Sequence, residues 1–221
     1  NNEVHNTYSP PYANCAGVYV DNNSSTKKSV IENCYVHDNY SHSNAGGMYL
    51  DGYNSSNHVE VINCRIENNE AGQSAGGVYA SSYVTLVGCN ISNNTSKDYG
   101  SGLYMSNYVN VINCNIVNNK MTNTNYNGTG IYGSSYANIY NTVIWGNKKG
   151  DIPDNVYFSG NTNVVVSHSA IEGGYTGIGN INLFSITGFE TLGGFAIDKL
   201  LIAFPEDYNT AMIHALEVLR S

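Results

Sequence analysis

The chain has 221 residues and a formal net charge of -8, with only 12% charged residues, 19 Tyr, 23 Gly and 35 Asn. This length allows one domain, or one domain with a small appendage. Plentiful Tyr, Val and Ile argue against charge-driven disorder, and no apolar run reaches the ~18 residues of a membrane span. Nine Lys and Arg residues against 17 Asp and Glu give no electrostatic footprint for nucleic acid.

The N-terminus and the cysteines exclude several familiar modules. Residues 1–5 lack the basic and apolar regions of a signal peptide. The sequence does not begin with Met, so we expect a processed or excised chain. Five cysteines occur without any CxxC pair, so neither a disulfide framework nor a zinc module fits the sequence.

Two short phrases recur along the chain in a fixed order. The first places an aliphatic residue between Gly and Tyr, as in Gly77-Val78-Tyr79, and the second resembles Val61-Ile62-Asn63-Cys64. The tyrosines of the first phrase are Tyr19, Tyr49, Tyr79, Tyr104, Tyr132 and Tyr157. The cysteines of the second phrase are Cys34, Cys64, Cys89 and Cys114, followed in the same column by Thr142 and Ser169. The repeat is elastic, and its length varies within polar stretches between the phrases.

Each repeat is predicted to hold three short strands. Apolar residues alternate with polar ones with a period of two, which is typical of strands. Val84 and Leu86 are expected to face inward, and Val87 and Cys89 to continue inward after a bend between Leu86 and Val87. Strands joined by turns without helices, at 25–30 residues a repeat, indicate an all-β parallel solenoid with three sheets and about six coils.

Stacked coils turn matching positions into ladders. The four repeated cysteines are expected to pack inside as thiols, because parallel Cβ vectors suit disulfides poorly. At a turn, an asparagine ladder is expected to take left-handed geometry and to hydrogen-bond the coils above and below. Its members are Asn39, Asn69, Asn94, Asn119 and Asn147.

The outward tyrosines form the most distinctive predicted surface. The first-phrase tyrosines are expected to stack along one sheet, and a second ladder of Tyr83, Tyr108 and Tyr136 lies four residues further on. Stacking between coils is sufficient to explain such ladders. An aromatic strip bordered by Ser and Asn also suits sugar rings, and Tyr is equally favoured in protein interfaces.

Candidates for chemistry are few, and no catalytic residue is assigned. Asp21 and Asp51 occupy one column and could share a Ca²⁺ ion, or could simply cap backbone N–H groups. Arg65 faces outward without an acidic cluster in its column, and His37 with Asp38 is the one close acid–histidine pair. A polysaccharide lyase or a glycoside hydrolase would need several converging acids and a base.

The two phrases resemble a known family. Gly-Gly-Val-Tyr together with Ile-x-x-Asn (Ile66–Asn69, Ile91–Asn94, Ile116–Asn119) is similar to the repeats of chlamydial polymorphic outer membrane proteins and of surface proteins of gut Bacteroidetes. The resemblance covers roughly 17–174. It implies a right-handed parallel β-helix of the pectate-lyase-like fold and a bacterial surface or secreted protein, but this fold hosts many functions.

The C-terminal segment departs from the repeat. We assign 1–183 to the β-helix and 184–221 to an apolar appendage, with one helix over about 205–220 that begins at Pro205-Glu206-Asp207. A cap over the end of the solenoid is the leading interpretation. A foreign segment or a docking helix for a partner are the alternatives.

Together these features favour a non-catalytic, extracellular or cell-surface β-helix of adhesin or glycan-binding type. Its expected partner is a glycan or a surface protein, and no cofactor is expected apart from the Ca²⁺ considered above. The alternative is a polysaccharide lyase or a glycoside hydrolase acting on an acidic or host glycan. A tailspike-like trimer would require an apolar flank along the axis.

Overall fold

The computed structural model describes residues 2–5, 14–22, 27–160 and 163–183, which form about five turns of a parallel β-solenoid. Strands, turns and bends make up these residues, and none of them is helical. The predicted all-β parallel solenoid with three sheets is therefore confirmed. The predicted cap and helix of 184–221 lie outside the described residues.

Three sheets run along the axis of the solenoid. Sheet 1 contains Val18–Asp21, Ser29–Glu32, Met48–Asp51, Val59–Ile62, Val78–Val87, Leu103–Ile112, Ile131–Gly133, Ala137–Tyr140, Val156–Phe158 and Val164–Ser167. Sheet 2 contains Asn2–His5, Cys34–His37, Arg65–Glu67, Asn90–Ser92, Asn115–Val117, Val143–Trp145, Ala170–Glu172 and Ile181–Leu183. Sheet 3 contains Tyr40–Ser41, Glu70–Ala71, Thr95–Ser96, Lys120–Met121, Lys148–Lys149 and Ile152–Pro153.

Residues at equivalent positions of the repeat are register partners in adjacent coils. Tyr79 pairs with Tyr49 on one side and Tyr104 on the other, in parallel register. The pair between Lys148–Lys149 and Ile152–Pro153 is antiparallel. A complete coil such as 48–71 has four strands rather than the predicted three, because the short strand of sheet 3 follows the three that the sequence predicted. In Val78–Val87 and Leu103–Ile112 the two segments of sheet 1 form one bent strand.

The core lies inside the coils and is built from stacked aliphatic columns. In Val78–Val87 buried residues alternate with partly exposed ones, as the period of a strand requires. Val84 and Leu86 are fully buried, and so are their register partners Val109 and Val111. Each coil therefore covers the apolar residues of the next, which is how a solenoid obtains its stability.

One predicted inward position is wrong. Val87 is only partly buried, as are its register partners Ile62 and Ile112, because strict alternation carries them to the outer face. The bend follows at Gly88, whose φ of +64° lies in the left-handed region, and Cys89 returns to the interior with no exposed surface. Glycine adopts this conformation at little cost. The bend therefore needs no pair of adjacent inward residues.

The inward cysteines form a hydrogen-bonded column of thiols. Backbone N–H groups of Cys34 and Cys89 donate to the sulfur atoms of Cys64 and Cys114 respectively, each at 3.4 Å. Thr142 continues the column, because its Oγ1 accepts the N–H of Cys114 at 3.4 Å. The hydrogen bond with Cys89 and burial together raise the pKa of the Cys64 thiol. These thiols are therefore packing groups, as predicted.

The asparagine ladder is buried and forms amide-to-amide hydrogen bonds. Asn94 donates through Nδ2 to Oδ1 of Asn119 at 3.1 Å and to the carbonyl of Ile66 at 3.0 Å. Its own Oδ1 accepts from the backbone N–H and Nδ2 of Asn69. The predicted contacts between coils are confirmed, but the predicted left-handed geometry falls one residue earlier. The residues with positive φ are Asp38, Asn68, Asn93, Asn118 and Gly146.

Candidate ligand-binding groove

The long tyrosine stack runs along the outer face of sheet 1. Successive rings from Tyr19 to Tyr132 stack at centroid distances of 4.5 to 5.1 Å, and Tyr157 follows at 6.0 Å. The ring planes of Tyr79 and Tyr104 lie within 13° of each other. The rings therefore cover one another's faces and present edges and hydroxyl groups outward. Sugar stacking on the faces, which the sequence suggested, is restricted to the ends of the stack.

Burial affects the phenols of the long stack. Desolvation is the largest cause that raises the pKa of Tyr49, Tyr79 and Tyr104 above the ordinary tyrosine value. For Tyr79 the neighbouring Tyr104 adds to the effect. These hydroxyl groups therefore stay protonated at neutral pH and remain able to donate. Tyr132 illustrates this role, since its hydroxyl donates to Oγ of Ser159 at 2.9 Å.

The short tyrosine stack lies at the bend inside sheet 1. Tyr83 and Tyr108 stack at 4.7 Å, and Tyr108 and Tyr136 at 5.0 Å, so Tyr108 has an aromatic ring on either side. Tyr83 and Tyr108 have φ values of +47° and +53°. The left-handed region is unfavourable for a bulky residue, at a cost of about 1–3 kcal/mol. The backbone at this corner is therefore strained.

A groove of about 490 Å³ opens beside the short stack. Its lining includes the aromatic side chains of Tyr83, Tyr108 and Tyr136 and the polar side chains of Thr85, Asn110 and Asn138. Asn138 donates through Nδ2 to Oδ1 of Asn110 at 3.0 Å, and Asn110 donates to Oγ1 of Thr85 at 3.3 Å. The amide and hydroxyl groups thus form a second, outward ladder parallel to the solenoid axis.

Charged groups close one end of the groove. Glu60, the register neighbour of Thr85, accepts from Lys28 at 2.8 Å and contacts Nε2 of His58 at 2.8 Å. His58 also places Nδ1 at 3.0 Å from the carbonyl oxygen of Ser55. The hydrogen bonds from Lys28 and His58 lower the pKa of the Glu60 carboxyl. The carboxylate at this end is therefore ionised and already partnered.

Sequence reasoning missed Thr85, Asn110, Asn138 and the groove they line. A signal was present, because each follows a short-stack tyrosine by two positions, as in Tyr108-Val109-Asn110. Alternation places both residues of such a pair on the outer face. Taken singly, one Thr and two Asn in an Asn-rich chain did not stand out.

The predicted acidic pair is brought together. Asp21 and Asp51 are register partners on the outer face of sheet 1. Burial, followed by the charge of Asp21, raises the pKa of the Asp51 carboxyl, while a hydrogen bond with Ser81 opposes the shift. Among the residues that the structure describes, no group of three or more His, Cys, Asp or Glu side chains could hold a metal ion.

The remaining titratable candidates lie on sheet 2, away from the groove. Arg65 donates to Glu67 at 2.9 Å and lies 4.6 Å above the ring of Tyr35. Burial and a hydrogen bond with Glu67 raise the pKa of Tyr35 to about 12. His37 contacts Asp38 at 2.6 Å, so the predicted acid–histidine pair is present. Sequence reasoning did not pair Arg65 with Glu67, although the two are two positions apart and so share the outer face of the strand.

The comparison with protein families supports the geometry. A family model described as "Right handed beta helix region" matches residues 1–155. The chain belongs to the right-handed β-helix family. The stacked coils, inward columns and turn ladders are those of a right-handed β-helix, which confirms the coarser part of the predicted resemblance. No curated protein and no solved structure matches the chain. Over the described part of this β-helix, no helix is long and apolar enough to cross a membrane.

Proposed function

We propose that this β-helix is a non-catalytic, extracellular or cell-surface protein of a bacterium that binds a glycan in the groove beside the short tyrosine stack. The observation that carries the proposal is the strained backbone of Tyr83 and Tyr108. Strained conformations of this kind concentrate at functional sites. Tyrosine at a corner that Asn or Gly would occupy more easily indicates that its side chain is needed there.

The polar side chains that line the groove favour a hydroxyl-rich ligand. Asn110 and Asn138 each retain hydrogen-bonding capacity beyond the contacts that join them, because an amide has two donor hydrogens and two acceptor lone pairs. Together with Thr85 and the tyrosine hydroxyl groups they offer donors and acceptors along the whole groove. Sites that combine aromatic side chains with a few placed polar groups are typical of small-ligand binding.

The proposed location is supported by the repeats. Gly-Gly-Val-Tyr and Ile-x-x-Asn are similar to the repeats of polymorphic outer membrane proteins and of Bacteroidetes surface proteins. An adhesin role would follow if the glycan belongs to a host or to a neighbouring cell. A composition with few charges and many Asn, Ser and Tyr residues is compatible with such a surface.

A glycan-array screen tests the proposal, with Tyr108→Asn and Asn110→Ala as the groove variants. Both variants are expected to lose about tenfold or more in affinity, since each removes about one or two hydrogen bonds and shape from the groove. Tyr157→Asn, at the end of the long stack, and Asn90→Ala, on sheet 2, are the matched controls and are expected to bind normally.

Assays for reducing sugar and for unsaturated uronate on the array hits complete the test. Release of either product would favour the alternative, a polysaccharide lyase or glycoside hydrolase. Loss of binding in Tyr157→Asn without loss in Tyr108→Asn would assign binding to the long stack. Binding of a protein receptor without any glycan would contradict the proposal.

A further inference from the structure

Among the residues that the structure describes, those lining the groove include no carboxylate, lysine or arginine. His58 lies at one end of the groove. Both nitrogens of its imidazole ring already face acceptors, which are the carbonyl of Ser55 and the carboxylate of Glu60. Glu60 in turn is held by Lys28. A charged group on a ligand would therefore leave water without gaining an opposite charge in the groove, which is unfavourable.

The charge of the whole chain acts in the same direction. The formal net charge of -8 repels anionic ligands at long range. The carboxylates, sulfates and phosphates of acidic glycans thus meet repulsion on approach and find no cation in the groove. These two observations favour a ligand without charge.

The groove also repeats along its length. Three successive coils each contribute one tyrosine and, two residues later, one Thr or Asn: Tyr83 with Thr85, Tyr108 with Asn110, and Tyr136 with Asn138. The rings are 4.7 and 5.0 Å apart, which is the spacing of the coils. In an extended chain of β-1,4-linked pyranoses each sugar advances by a similar length, and successive sugars are turned over. Each coil can therefore meet the hydroxyl groups of one sugar, presented from alternating edges of the ring.

The repeat of polar groups stops at both ends of the groove. Beyond Asn138 the column continues with Val165, which is 57% exposed and offers no hydrogen bond. Before Thr85 it continues with Glu60, which is engaged by Lys28 and His58. The ladder of amide and hydroxyl groups therefore spans three coils.

We infer that the groove binds an uncharged, linear polysaccharide that lies parallel to the solenoid axis, with one sugar unit a coil over three coils. This inference rests on the proposed function and adds the charge, the direction and the length of the ligand. The affinity of the groove for such an oligosaccharide should rise with each added sugar unit until the chain reaches the end of the ladder of Thr85, Asn110 and Asn138.

Calorimetric titration with cello-oligosaccharides and manno-oligosaccharides of one to six units tests the inference. Affinity is expected to rise about fivefold for each added unit, as about one net hydrogen bond provides, and to level off at three. Oligomannuronates of the same length keep the β-1,4 linkage of the manno-oligosaccharides and are their acidic counterparts. They are expected to bind at least about tenfold more weakly, because each carboxylate would leave water without a cation to pair with.

Val165→Asn sharpens the test, because it extends the amide ladder by one coil. The expected result is a shift of the plateau from three units to four, while Val165→Ala leaves the plateau at three. Affinity independent of chain length, or a plateau unmoved by Val165→Asn, would overturn the inference.

The failure of the inference is distinguishable from that of the proposed function. Tighter binding of oligomannuronates that Tyr108→Asn abolishes would refute the uncharged ligand and leave glycan binding in this groove intact. Absence of binding to every oligosaccharide and to the array would refute both.

Discussion

Two corners of the coil solve the same geometric problem with different residues. At the corner before the asparagine ladder, the left-handed residues are Asp, Asn or Gly, which tolerate that conformation. At the corner inside sheet 1 they are Tyr83 and Tyr108. The asparagine corner also buries ladder side chains that hydrogen-bond within the fold, such as Asn94, whereas Tyr108 is 43% exposed.

The difference separates residues selected for stability from residues retained for another reason. Each left-handed residue at the asparagine corner is of a type that tolerates this backbone conformation. The conformational preference of each residue therefore agrees with the overall fold. The tyrosine corner violates the local preference, and such violations in natural proteins concentrate at functional sites. Four changes, in order of expected effect, test whether the two corners differ in this way.

Asn94→Ala is expected to have the largest effect, a loss of about 3 kcal/mol in the free energy of unfolding. The change removes the acceptor of the backbone N–H of Asn69 and one of the donors to the carbonyl of Ile66, and leaves the buried N–H of Asn69 without its acceptor. Chemical denaturation measures the loss. Asn90→Ala on the partly exposed face of sheet 2 is the control, with an expected change within about 0.5 kcal/mol. Equal effects would show that the ladder is dispensable.

Gly77→Ala tests the close approach of coils beside the same ladder, with an expected loss of about 2 kcal/mol. An added Cβ would lie 2.5 Å from the backbone oxygen of Gly102 and 2.9 Å from Nδ2 of Asn94. Gly133→Ala is the matched control, because its Cβ would also lie 2.5 Å from its nearest atom, but this atom belongs to the Phe158 ring, which can move. Thermal denaturation should give a distinctly lower midpoint for Gly77→Ala than for Gly133→Ala.

The repeat made most of the fold predictable. Recurrence of Cys64, Cys89 and Cys114 at equivalent positions required stacked coils, and alternation assigned Val84 and Leu86 to the core and Tyr79 to the surface. The errors at Val87 and in the left-handed residues of the asparagine corner concern single backbone angles at bends. At Val87 the alternation persists, and the phase of the hydrophobic pattern shifts one residue later, at the left-handed Gly88.

The candidate groove was less accessible from sequence for a physical reason. A ladder of Cys or Asn is recognisable in the sequence because the same residue type recurs in each repeat. Thr85, Asn110 and Asn138 differ in type and share only a column and a capacity for hydrogen bonds. The strain at Tyr83 and Tyr108 is a property of backbone angles that no residue type encodes. Face-to-face stacking of the tyrosines followed from the register, but its consequence, that the ring faces are covered, required the interplanar angles.

Tyr108→Asn compares directly with Tyr104→Asn, since both tyrosines stand in the same strand with aromatic neighbours in both adjacent coils. Each change loses stacking worth about 0.2–1 kcal/mol a pair. At Tyr108 the change also relieves strain, because Asn tolerates positive φ, whereas Tyr104 has no such strain. Tyr108→Asn is therefore expected to be about 1 kcal/mol less destabilising than Tyr104→Asn.

Denaturation of both variants, with binding measured in parallel, distinguishes a role of the tyrosine corner in ligand binding from a role in stability. Near-wild-type stability with lost affinity in Tyr108→Asn would show a residue kept for its ligand. Loss of stability equal to that of Tyr104→Asn would instead show that stacking alone explains the corner.

Asp51→Asn is expected to have the smallest effect, and it lies at the same bend one coil earlier, where Asp51 pairs with Ser82. Removing one of two like charges in register should stabilise the fold by about 0.5 kcal/mol at neutral pH.

Because burial and Asp21 raise the pKa of Asp51 above its ordinary value of 3.8, the folded state holds this proton more tightly than the unfolded chain. This contribution to stability is therefore present below pH 3.8 and is lost as the pH rises through the raised value. The difference in stability between wild type and Asp51→Asn should accordingly shrink on acidification. A melting temperature of the wild type that rises with added Ca²⁺, and does not rise in Asp51→Asn, would contradict simple repulsion and favour a cation shared by Asp21 and Asp51.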